Sequence, residues 1–283
     1  MKVAILLTCH NRRLKTISCL LSLAQACIQA HVTWHVWLCD DGSTDDTAIK
    51  AKETLGSQIT ILYGNGSLFW CRGMIAAWNA AAATEPEAVI WLNDDVLLDS
   101  HAIDTLLKVS PTKPAILVGA VRASVVDSPI GHLPTYGGRR QGPWWNRLKT
   151  ELISISPDIQ PCDTFNGNVV FIPQCIWHKI GILDHRFTHT MGDLDYGFRA
   201  KYLKILTLIA PNTVGICTAN PTIAIPDSLW ARLQQVCSVK NCPPIAWLRL
   251  TYRHAGVLWP LVWAIPYLRI LRWRFQKTKI PTH

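Results

Sequence analysis

The chain has 283 residues, of which 49% are hydrophobic; this length and composition exclude a disordered protein and allow a full hydrophobic core with an appendage. Its 28 basic and 19 acidic residues give a formal net charge of +9, which favours an anionic partner. The basic residues of the tail alternate with Trp, Leu and Ile, which favours an anionic membrane surface and argues against nucleic acid: Arg249, Arg253, Arg269, Arg272, Arg274, Lys277 and Lys279.

Strands and helices alternate through the first third of the chain. The apolar run at residues 3–7 is shorter than the ~7–15 residues of a signal-peptide core, so it predicts a first strand and a cytosolic protein. Ser43 or Thr44 would cap a helix that extends through Ile49. Such alternation is typical of a Rossmann-like, mainly parallel sheet flanked by helices. Strands are predicted at 3–8, 33–39, 59–63 and 88–92, and helices at 14–24 and 73–83.

The order is less regular after residue 110. Strands are predicted at 115–121 and 165–172, and helices at 176–180 and 192–203. Segment 131–145 is rich in Gly, Pro and Arg, which predicts a mobile loop over the site.

The composition shifts to Trp, Leu and Arg after Pro243. The uncharged run at 255–268 is interrupted by Pro260 and Pro266, and it is shorter than the ~20 apolar residues that span a bilayer. It predicts an amphipathic helical appendage that lies in the plane of a membrane surface.

The ten cysteines are scattered, several of them inside apolar patterns. None forms a C-x-x-C pair, whereas tetrahedral zinc sites usually show paired short spacings. They are therefore interpreted as small buried hydrophobic residues in a reducing compartment.

Acidic residues follow two of the predicted strands, at Asp40-Asp41 and at Asp94-Asp95. Buried strands rarely carry acids unless donors or cations stabilise the charge. The carboxyl ends of parallel strands meet at one edge of a sheet, where α/β folds bind their ligands. Asp40 and Asp41 would accept hydrogen bonds from the imide or ribose of a nucleoside, or they form only a helix cap and a turn.

The triplet Asn93-Asp94-Asp95 places two carboxylates side by side after an apolar strand. Such a pair repels unless a cation or hydrogen-bond donors neutralise it. A hard divalent cation, Mg²⁺ or Mn²⁺, with diphosphate oxygens as co-ligands would do this and would also neutralise a leaving diphosphate. The alternative interpretation is a solvated turn between a strand and a helix.

Other segments contain further candidate residues. Asp193 opens a predicted helix, where it is either a general base that takes a proton from an acceptor hydroxyl or a capping residue. Arg72 precedes a predicted helix and would face a diphosphate, or it belongs to an ordinary loop. His10 would line a nucleotide pocket and His189 the acceptor side, and both also fit plain surface or core positions.

Four motifs in this order resemble the inverting glycosyltransferases of family 2, particularly the rhamnosyltransferase-like bacterial members, across roughly residues 2–220. They are Thr8-Cys9-His10-Asn11-Arg12, Asp40-Asp41-Gly42-Ser43-Thr44-Asp45, Asn93-Asp94-Asp95 and Gly192-Asp193-Leu194-Asp195-Tyr196-Gly197-Phe198-Arg199. The resemblance implies a GT-A fold and the inverting transfer of a hexose or deoxyhexose from a nucleotide diphosphate sugar.

The resemblance also implies roles for single residues. Asp95 would be the metal ligand and Asp193 the base, while Asn166 and Gly167, with His189, would lie beside the donor sugar and acceptor. Asn93 stands where a stricter D-x-D motif has its first Asp, which puts one metal ligand in doubt. The nucleotide-sugar contacts would be Thr8, His10, Asn11, Arg12, Asp40, Asp41, Arg72 and Asp94.

The sequence therefore predicts a glycosyltransferase of cell-surface polysaccharide synthesis, peripheral on the inner face of the cell membrane. Its donor would carry UDP or dTDP in preference to GDP, and its acceptor would be a glycan or a polyprenyl-linked sugar. The predicted domains are 1–225, with nucleotide-binding (1–100) and acceptor-binding (101–225) halves, and a membrane-associating segment at 226–283. Two alternatives stay open: a sugar-phosphate nucleotidyltransferase, although its Gly-rich phosphate loop is missing here, and a non-catalytic nucleotide-sugar-binding protein.

Overall fold

The computed structural model describes residues 1–109, 112–124, 134–219 and 226–272. The chain divides into two compact units. The first consists of Met1–Arg140 and Glu151–Ala219, and the second of Gln141–Thr150 and Asn220–His283. Every residue that the sequence assigns to the chemistry lies in the first unit.

The first unit opens with the predicted alternation of strands and helices. The four predicted strands of this region are confirmed, and the apolar runs at 3–9 and 88–92 form strands that are buried on both faces. The helices predicted to end at Ala24 and Ile49 end at Gln29 and Leu55, and the helix predicted from Gly73 begins at Phe69. The elements are β1 (Lys2–Cys9), α1 (Arg13–Gln29), β2 (Thr33–Asp40), α2 (Thr47–Leu55), β3 (Ile59–Tyr63), α3 (Phe69–Ala82) and β4 (Ala88–Leu92).

The rest of the described chain adds shorter strands and six α-helices. It comprises β5 (Leu97–Leu98), α4 (Ala102–Lys108), β6 (Ala115–Val118), β7 (Val121–Arg122), β8 (Gly138–Gln141), β9 (Thr150–Leu152), β10 (Gln160–Pro161), β11 (Thr164–Phe165), β12 (Val169–Pro173), α5 (Gln174–Ile180), α6 (Gly192–Tyr202), β13 (Leu206–Ile209) and β14 (Gly215–Ile216). Two short sheets, β11-β8-β9 and β5-β14-β7, accompany the central sheet. The three remaining helices belong to the tail and are given below.

The central sheet has eight strands in the order β10-β13-β6-β12-β4-β1-β2-β3, and it is mostly parallel, as predicted. Because β1 is parallel to β2 and β4, the turns after these three strands meet at one edge. Strand β12 is antiparallel to β4 with Val169 opposite Leu92, so the residues before β12 reach the same edge. The register therefore brings four chain segments together.

Alternate residues of β4 face two different layers, as the pleat of a strand requires. Ile90 packs in the apolar cluster that includes Leu20 of α1. Trp91 points the other way, with ring centroids 5.6 Å from Trp78 of α3 and 5.0 Å from Tyr196 of α6. Full burial of Trp91 contributes about 2–3 kcal/mol, so this aromatic layer firmly fixes α3 and α6 on the sheet.

Four local predictions were wrong. The predicted strand at 115–121 is two strands, β6 and β7, which belong to different sheets. Helix α2 begins at Thr47 without a side-chain cap, because the side chain of Ser43 accepts instead from the Asn11 amide. The predicted strand at 165–172 is two strands, β11 and β12, separated by residues 166–168. The predicted loop at 131–145 contains strand β8, while its residues 131–133 lie outside the described residues.

The second unit contains α7 (Leu229–Cys237), α8 (Pro244–His254) and α9 (Trp259–Arg272), which confirms a helical C-terminal segment. The indole of Trp247 donates to the Trp263 carbonyl oxygen at 3.1 Å, and the hydroxyl of Tyr267 donates to the Cys242 carbonyl oxygen at 2.9 Å. These bonds tie α9 to α8 and to the segment before it. Within the described ranges, none of the helices combines the length and the apolar character needed to cross a bilayer.

Candidate active site

The turns after β1 and β2 are tied together by polar contacts. His10 Nδ1 donates to the Asp41 carbonyl oxygen at 2.6 Å, and the amide of Asn11 donates to Ser43 Oγ at 2.9 Å. Asn11 Oδ1 accepts from the amide of Thr44 at 2.7 Å. The two predicted nucleoside-binding turns thus form one structural block at the edge of the sheet.

The carboxylates of Asp40 and Asp41 are buried and bound to backbone amides. Asp41 accepts from the amides of Gly66 and Phe69, both at 2.8 Å, and Asp40 accepts from the amide of Ser43 at 2.8 Å. These two amides satisfy the buried side-chain oxygens of Asp41. Asp41 therefore shapes the loop before α3, and its direct contact with a nucleoside stays a prediction.

The acidic turn after β4 is neutralised by an arginine. Arg12 Nη1 lies 2.8 Å from Asp94 Oδ1, and Arg12 Nη2 lies 3.2 Å from Asp95 Oδ2. Asp94 is only 4% exposed, and burial raises its pKa to about 6 although Arg12 lowers it. Thr16 Oγ1 also contacts Asp94, at 3.5 Å. This turn is a buried ion-pair network and not a solvated turn.

Asp95 is the residue of this turn that suits a hard cation. Among the side chains that the structure describes, no group of three or more His, Cys, Asp or Glu residues would hold a metal ion by itself. Mg²⁺-type cations need only one or two protein carboxylates when substrate phosphates complete the coordination. The side chain of Asp95 is 15% exposed, against 6% for Asp94, so the donor set fits a cation that binds together with a diphosphate.

Asp193 lies at the start of α6, beside the segment that precedes β12. Its Oδ2 accepts from the amide of Gly167 at 3.0 Å, and its Oδ1 accepts from the amide of Leu194 at 2.8 Å. Burial raises the pKa of Asp193, while these hydrogen bonds and Arg139 lower it. A carboxylate with a raised pKa is a better proton acceptor near neutral pH, so the position suits a general base.

Each of the remaining predicted residues has a contact of its own within the first unit. The side chain of Thr8 packs against Gly73 of α3, where a Cβ would clash with it. Arg72 is exposed, and its Nε donates to the His185 carbonyl oxygen at 3.3 Å, so its contact with a diphosphate stays a prediction. Asn166 accepts from Arg139 at 3.3 Å, and His189 Nδ1 accepts from the amide of Trp70 at 3.4 Å.

Three residues that contact the site were not predicted from the sequence: Thr16, Trp70 and Arg139. Thr16 follows Arg12 by four residues, and this spacing places both on one helical face, which was a usable signal. Arg139 lies in β8, whose pairing with β11 is a tertiary contact that composition does not reveal. Trp70 lies in the first turn of α3, before the predicted start of this helix at residue 73, and no pattern in the sequence marks it.

A cavity of about 280 Å³ lies beside the β2 turn, and Asp40, Ser43, Thr44 and Tyr63 are among its lining residues. The acidic turn and Asp193 do not belong to that lining. The predicted metal ligand Asp95 and the predicted base Asp193 therefore lie outside the lining of this cavity, where β4, α3, β12 and α6 meet.

The sequence matches the family model described as Glycosyl transferase family 2 over residues 4–176. No curated protein matches it. The fold is similar to that of the mannosyltransferase PcManGT from Pyrobaculum calidifontis, solved in complex with GDP-Man and Mn²⁺, at 13% identity and a TM-score of 0.52, over 99% of this chain and 76% of that one. GalNAc-T7, solved with UDP, GalNAc and Mn²⁺, gives 10% identity and a TM-score of 0.53 over 95% of this chain, which spans 54% of that protein. These similarities confirm the predicted GT-A fold.

Proposed function

The chain belongs to glycosyl transferase family 2, and we propose that it transfers a hexosyl or deoxyhexosyl group from a nucleotide diphosphate sugar to an acceptor hydroxyl, with inversion. One observation carries this proposal: the side chain of Trp70 connects the two acidic groups. It contacts Asn93, in the same turn as Asp95, and it packs against Gly167, whose amide donates to Asp193. A single displacement needs one group for the leaving diphosphate and another for the attacking hydroxyl.

In the proposed reaction Asp193 accepts the proton of the acceptor hydroxyl as the hydroxyl oxygen attacks the anomeric carbon. The bond from that carbon to the diphosphate breaks on the opposite face, so the configuration inverts and the nucleoside diphosphate leaves with the bonding electrons. The amides of Gly167 and Leu194 fix the carboxylate in one orientation. Fixed orientation matters because a proton acceptor works only within hydrogen-bond reach of its target.

We assign Asp95 as the protein ligand of a divalent cation, Mg²⁺ or Mn²⁺, and both similar solved structures contain Mn²⁺. When bound, such a cation supplies charge neutralisation at the leaving diphosphate. Before the cation binds, Arg12 holds Asp94 and Asp95 in place. Its guanidinium lies 2.8 Å from Asp94 and 3.2 Å from Asp95 and offsets the repulsion between the two carboxylates. Asp94 would then face the ribose or donor sugar.

The nucleotide would lie on the block formed by the β1 and β2 turns, in contact with Thr8, His10 and Asn11. We propose UDP or dTDP in preference to GDP as the carrier of the sugar. One similar structure contains GDP-Man and the other UDP, so the test includes all three bases.

The proposal is tested with UDP-glucose, dTDP-glucose and GDP-mannose, each with and without Mn²⁺. A ligand that binds only the folded state raises the melting temperature, so at least one donor with Mn²⁺ should stabilise the protein. Release of nucleoside diphosphate by slow hydrolysis then reports turnover without a known acceptor. Asp193→Asn should keep the thermal shift and lower turnover by roughly 10²–10⁴-fold. Asp104→Asn, on the surface of α4, is the matched control.

The outcomes separate the candidate functions. No stabilisation by any of the three donors contradicts the proposed function. Stabilisation without turnover in the wild type favours a non-catalytic nucleotide-sugar-binding protein. Equal turnover in the wild type and Asp193→Asn contradicts the assignment of Asp193 as the base.

We further propose that the acceptor is a glycan or a polyprenyl-linked sugar of cell-surface polysaccharide synthesis, and that the protein is peripheral on the inner face of the cell membrane. The exposed apolar side chains of α8 and α9 support this proposal. On α8 they recur three and four residues apart, as Ile245, Leu248 and Tyr252, and on α9 as Leu261, Ile265 and Leu268. This spacing gives each helix one exposed apolar face, which is typical of helices that lie in a membrane interface.

A further inference from the structure

Trp70 bridges the two halves of the candidate site. Its indole Nε1 donates to Asn93 Oδ1 at 2.7 Å, on the side of the acidic turn. The six-membered ring, on the side that adjoins Nε1, lies against Gly167, where a Cβ would come within 2.6 Å of Trp70 Cζ2 and 2.8 Å of Cη2. The ring therefore contacts both the turn after β4 and the segment before β12.

The backbone on both sides of Trp70 is anchored. The amide of Phe69 donates to Asp41 Oδ2 at 2.8 Å, and the amide of Cys71 donates to the Thr188 carbonyl oxygen at 3.0 Å. The indole also meets Trp91 edge to face, with centroids 5.9 Å apart and planes at 81°. The ring thus packs on the buried strand β4, and these contacts leave one orientation for the indole.

Gly167 carries the contact onward to Asp193. Its amide donates to Asp193 Oδ2, and a Cβ on Gly167 would lie 3.4 Å from Asp193 Cβ. A residue larger than glycine would push Trp70 and Asp193 apart. The Asn93 amide also donates to the Asn168 carbonyl oxygen at 3.0 Å, so the turn assigned to the diphosphate already lies beside this segment. The indole adds a side-chain contact to both, on the path from Asn93 to the proposed base.

We propose that Trp70 is a positioning residue of the transfer reaction, which holds the acidic turn and Asp193 at the separation that in-line displacement requires. This inference rests on the proposed function. It also assigns Asn93 a role that a metal ligand would not have, because its carboxamide oxygen is the acceptor of the indole N–H. A neutral acceptor satisfies Trp70 without adding a third negative charge beside Asp94 and Asp95.

The reaction should be sensitive to this bridge, because a displacement of about 1 Å in a reacting group lowers the rate by up to 10²-fold. Trp70→Phe keeps an aromatic ring and removes the N–H, and Asn93→Ala removes the acceptor. Each should lower kcat for nucleoside diphosphate release by roughly tenfold and change KM by less than about threefold, since neither group binds the donor in the proposed complex.

The experiment uses the full chain with Mn²⁺ and whichever of UDP-glucose, dTDP-glucose and GDP-mannose stabilises it most. The double variant Trp70→Phe/Asn93→Ala should lose no more activity than either single variant, because both act through one hydrogen bond. Trp230→Phe, an exposed Trp on α7, is the matched control. The indole ¹H–¹⁵N resonance of Trp70 should shift in Asn93→Ala, which tests the bridge without catalysis.

Three results would overturn the inference. They are an unchanged kcat in Trp70→Phe, additive losses in the double variant, and an indole resonance of Trp70 that does not respond to Asn93→Ala. If the wild-type protein is active and any one of these results is found, the bridge is refuted and the proposed function is not. A wild-type protein that neither binds nor hydrolyses the three donors refutes the proposed function, and the inference with it. If Trp70→Phe fails to fold, Asn93→Ala removes the same bond and gives the answer.

Discussion

Asp193 illustrates how neighbouring groups set the chemistry of one carboxylate. Burial raises its pKa, while the amides of Leu194 and Gly167 and the charge of Arg139 lower it. Arg139 is itself partly buried and its pKa is lowered by burial, although Asp193 raises it. The two side chains therefore stabilise each other's charged forms across the β8 and α6 segments. The Arg139 guanidinium, which also donates to Asn166 Oδ1, thus opposes the effect of burial on the pKa of Asp193, the proposed base.

Replacement of Arg139 should change the pH dependence of the reaction. The carboxylate must be ionised to accept a proton, so activity falls as the pH drops through the pKa of Asp193. Arg139→Gln removes a charge that lowers this pKa, so the acid limb of kcat/KM should move to higher pH. The measurement is a pH–rate profile for nucleoside diphosphate release from the stabilising donor.

Two variants make this prediction specific. Arg139→Lys keeps the charge and should keep the limb near its wild-type position, while Arg140→Gln changes the exposed neighbour on the same strand and should have no effect. A limb that stays in place in Arg139→Gln contradicts an electrostatic role for this arginine. A rate loss of equal size at every pH would indicate a contact with substrate.

At the scale of elements, the loop between β3 and α3 depends on one carboxylate. Asp41 receives the amides of Gly66 and Phe69, and Phe69 has a positive φ of 54°, a backbone conformation that needs external support. The start of α3, and with it the position of Trp70, follows from these bonds. A residue of the β2 turn thereby positions a helix that begins 28 residues later.

Loss of this carboxylate should destabilise the protein. Asp41→Ala leaves two amides without their charged acceptor, and the free energy of unfolding should fall by about 2–4 kcal/mol in urea denaturation. Asp158→Ala is the control, because Asp158 is an exposed residue outside the helices and strands, so its effect should stay within about 0.5 kcal/mol. Equal effects of the two substitutions would show that Asp41 does not anchor the loop.

Elements with a strong local pattern were predictable, and those that depend on tertiary partners were not. The apolar runs that form β1 and β4 are buried almost throughout, and those that form β2 and β3 are buried in part, so apolar runs of strand length identified all four. The start of α2 was predicted wrongly because Ser43 and Thr44 bind Asn11 of the neighbouring turn instead of capping the helix. Local cap preferences carry no information about such a partner.

The same distinction holds for the candidate site. The acidic residues at strand ends were visible in the sequence, since a parallel sheet brings those ends to one edge. The pairing of Arg12 with both Asp94 and Asp95 and the bridge made by Trp70 required coordinates, because they join segments separated by more than twenty residues. The roles of the individual site residues stay predictions until they are tested by substitution.

At the scale of the whole molecule, net charge and exposed apolar surface act together. In the proposed membrane contact, the formal charge of +9 would attract anionic headgroups, and the exposed apolar faces of α8 and α9 would supply the non-polar contact. Arg249 and Arg253 of α8 and Arg269 of α9 add charge to the same two helices. Neither charge nor apolar surface alone usually gives stable association, and their combination does.

The full chain should therefore float with vesicles that contain phosphatidylglycerol. It should float less with purely zwitterionic vesicles or at 0.5 M salt, because salt screens the attraction between basic residues and anionic headgroups. The triple variant Ile245→Ser/Leu248→Ser/Tyr252→Ser removes the α8 face at about 1 kcal/mol per side chain and should lower binding by at least roughly tenfold. The control replaces the exposed Leu14, Leu21 and Ile28 of α1 with Ser. Equal flotation of the two triple variants would refute a membrane role for α8, whereas a loss confined to the α8 variant would place the contact on that helix.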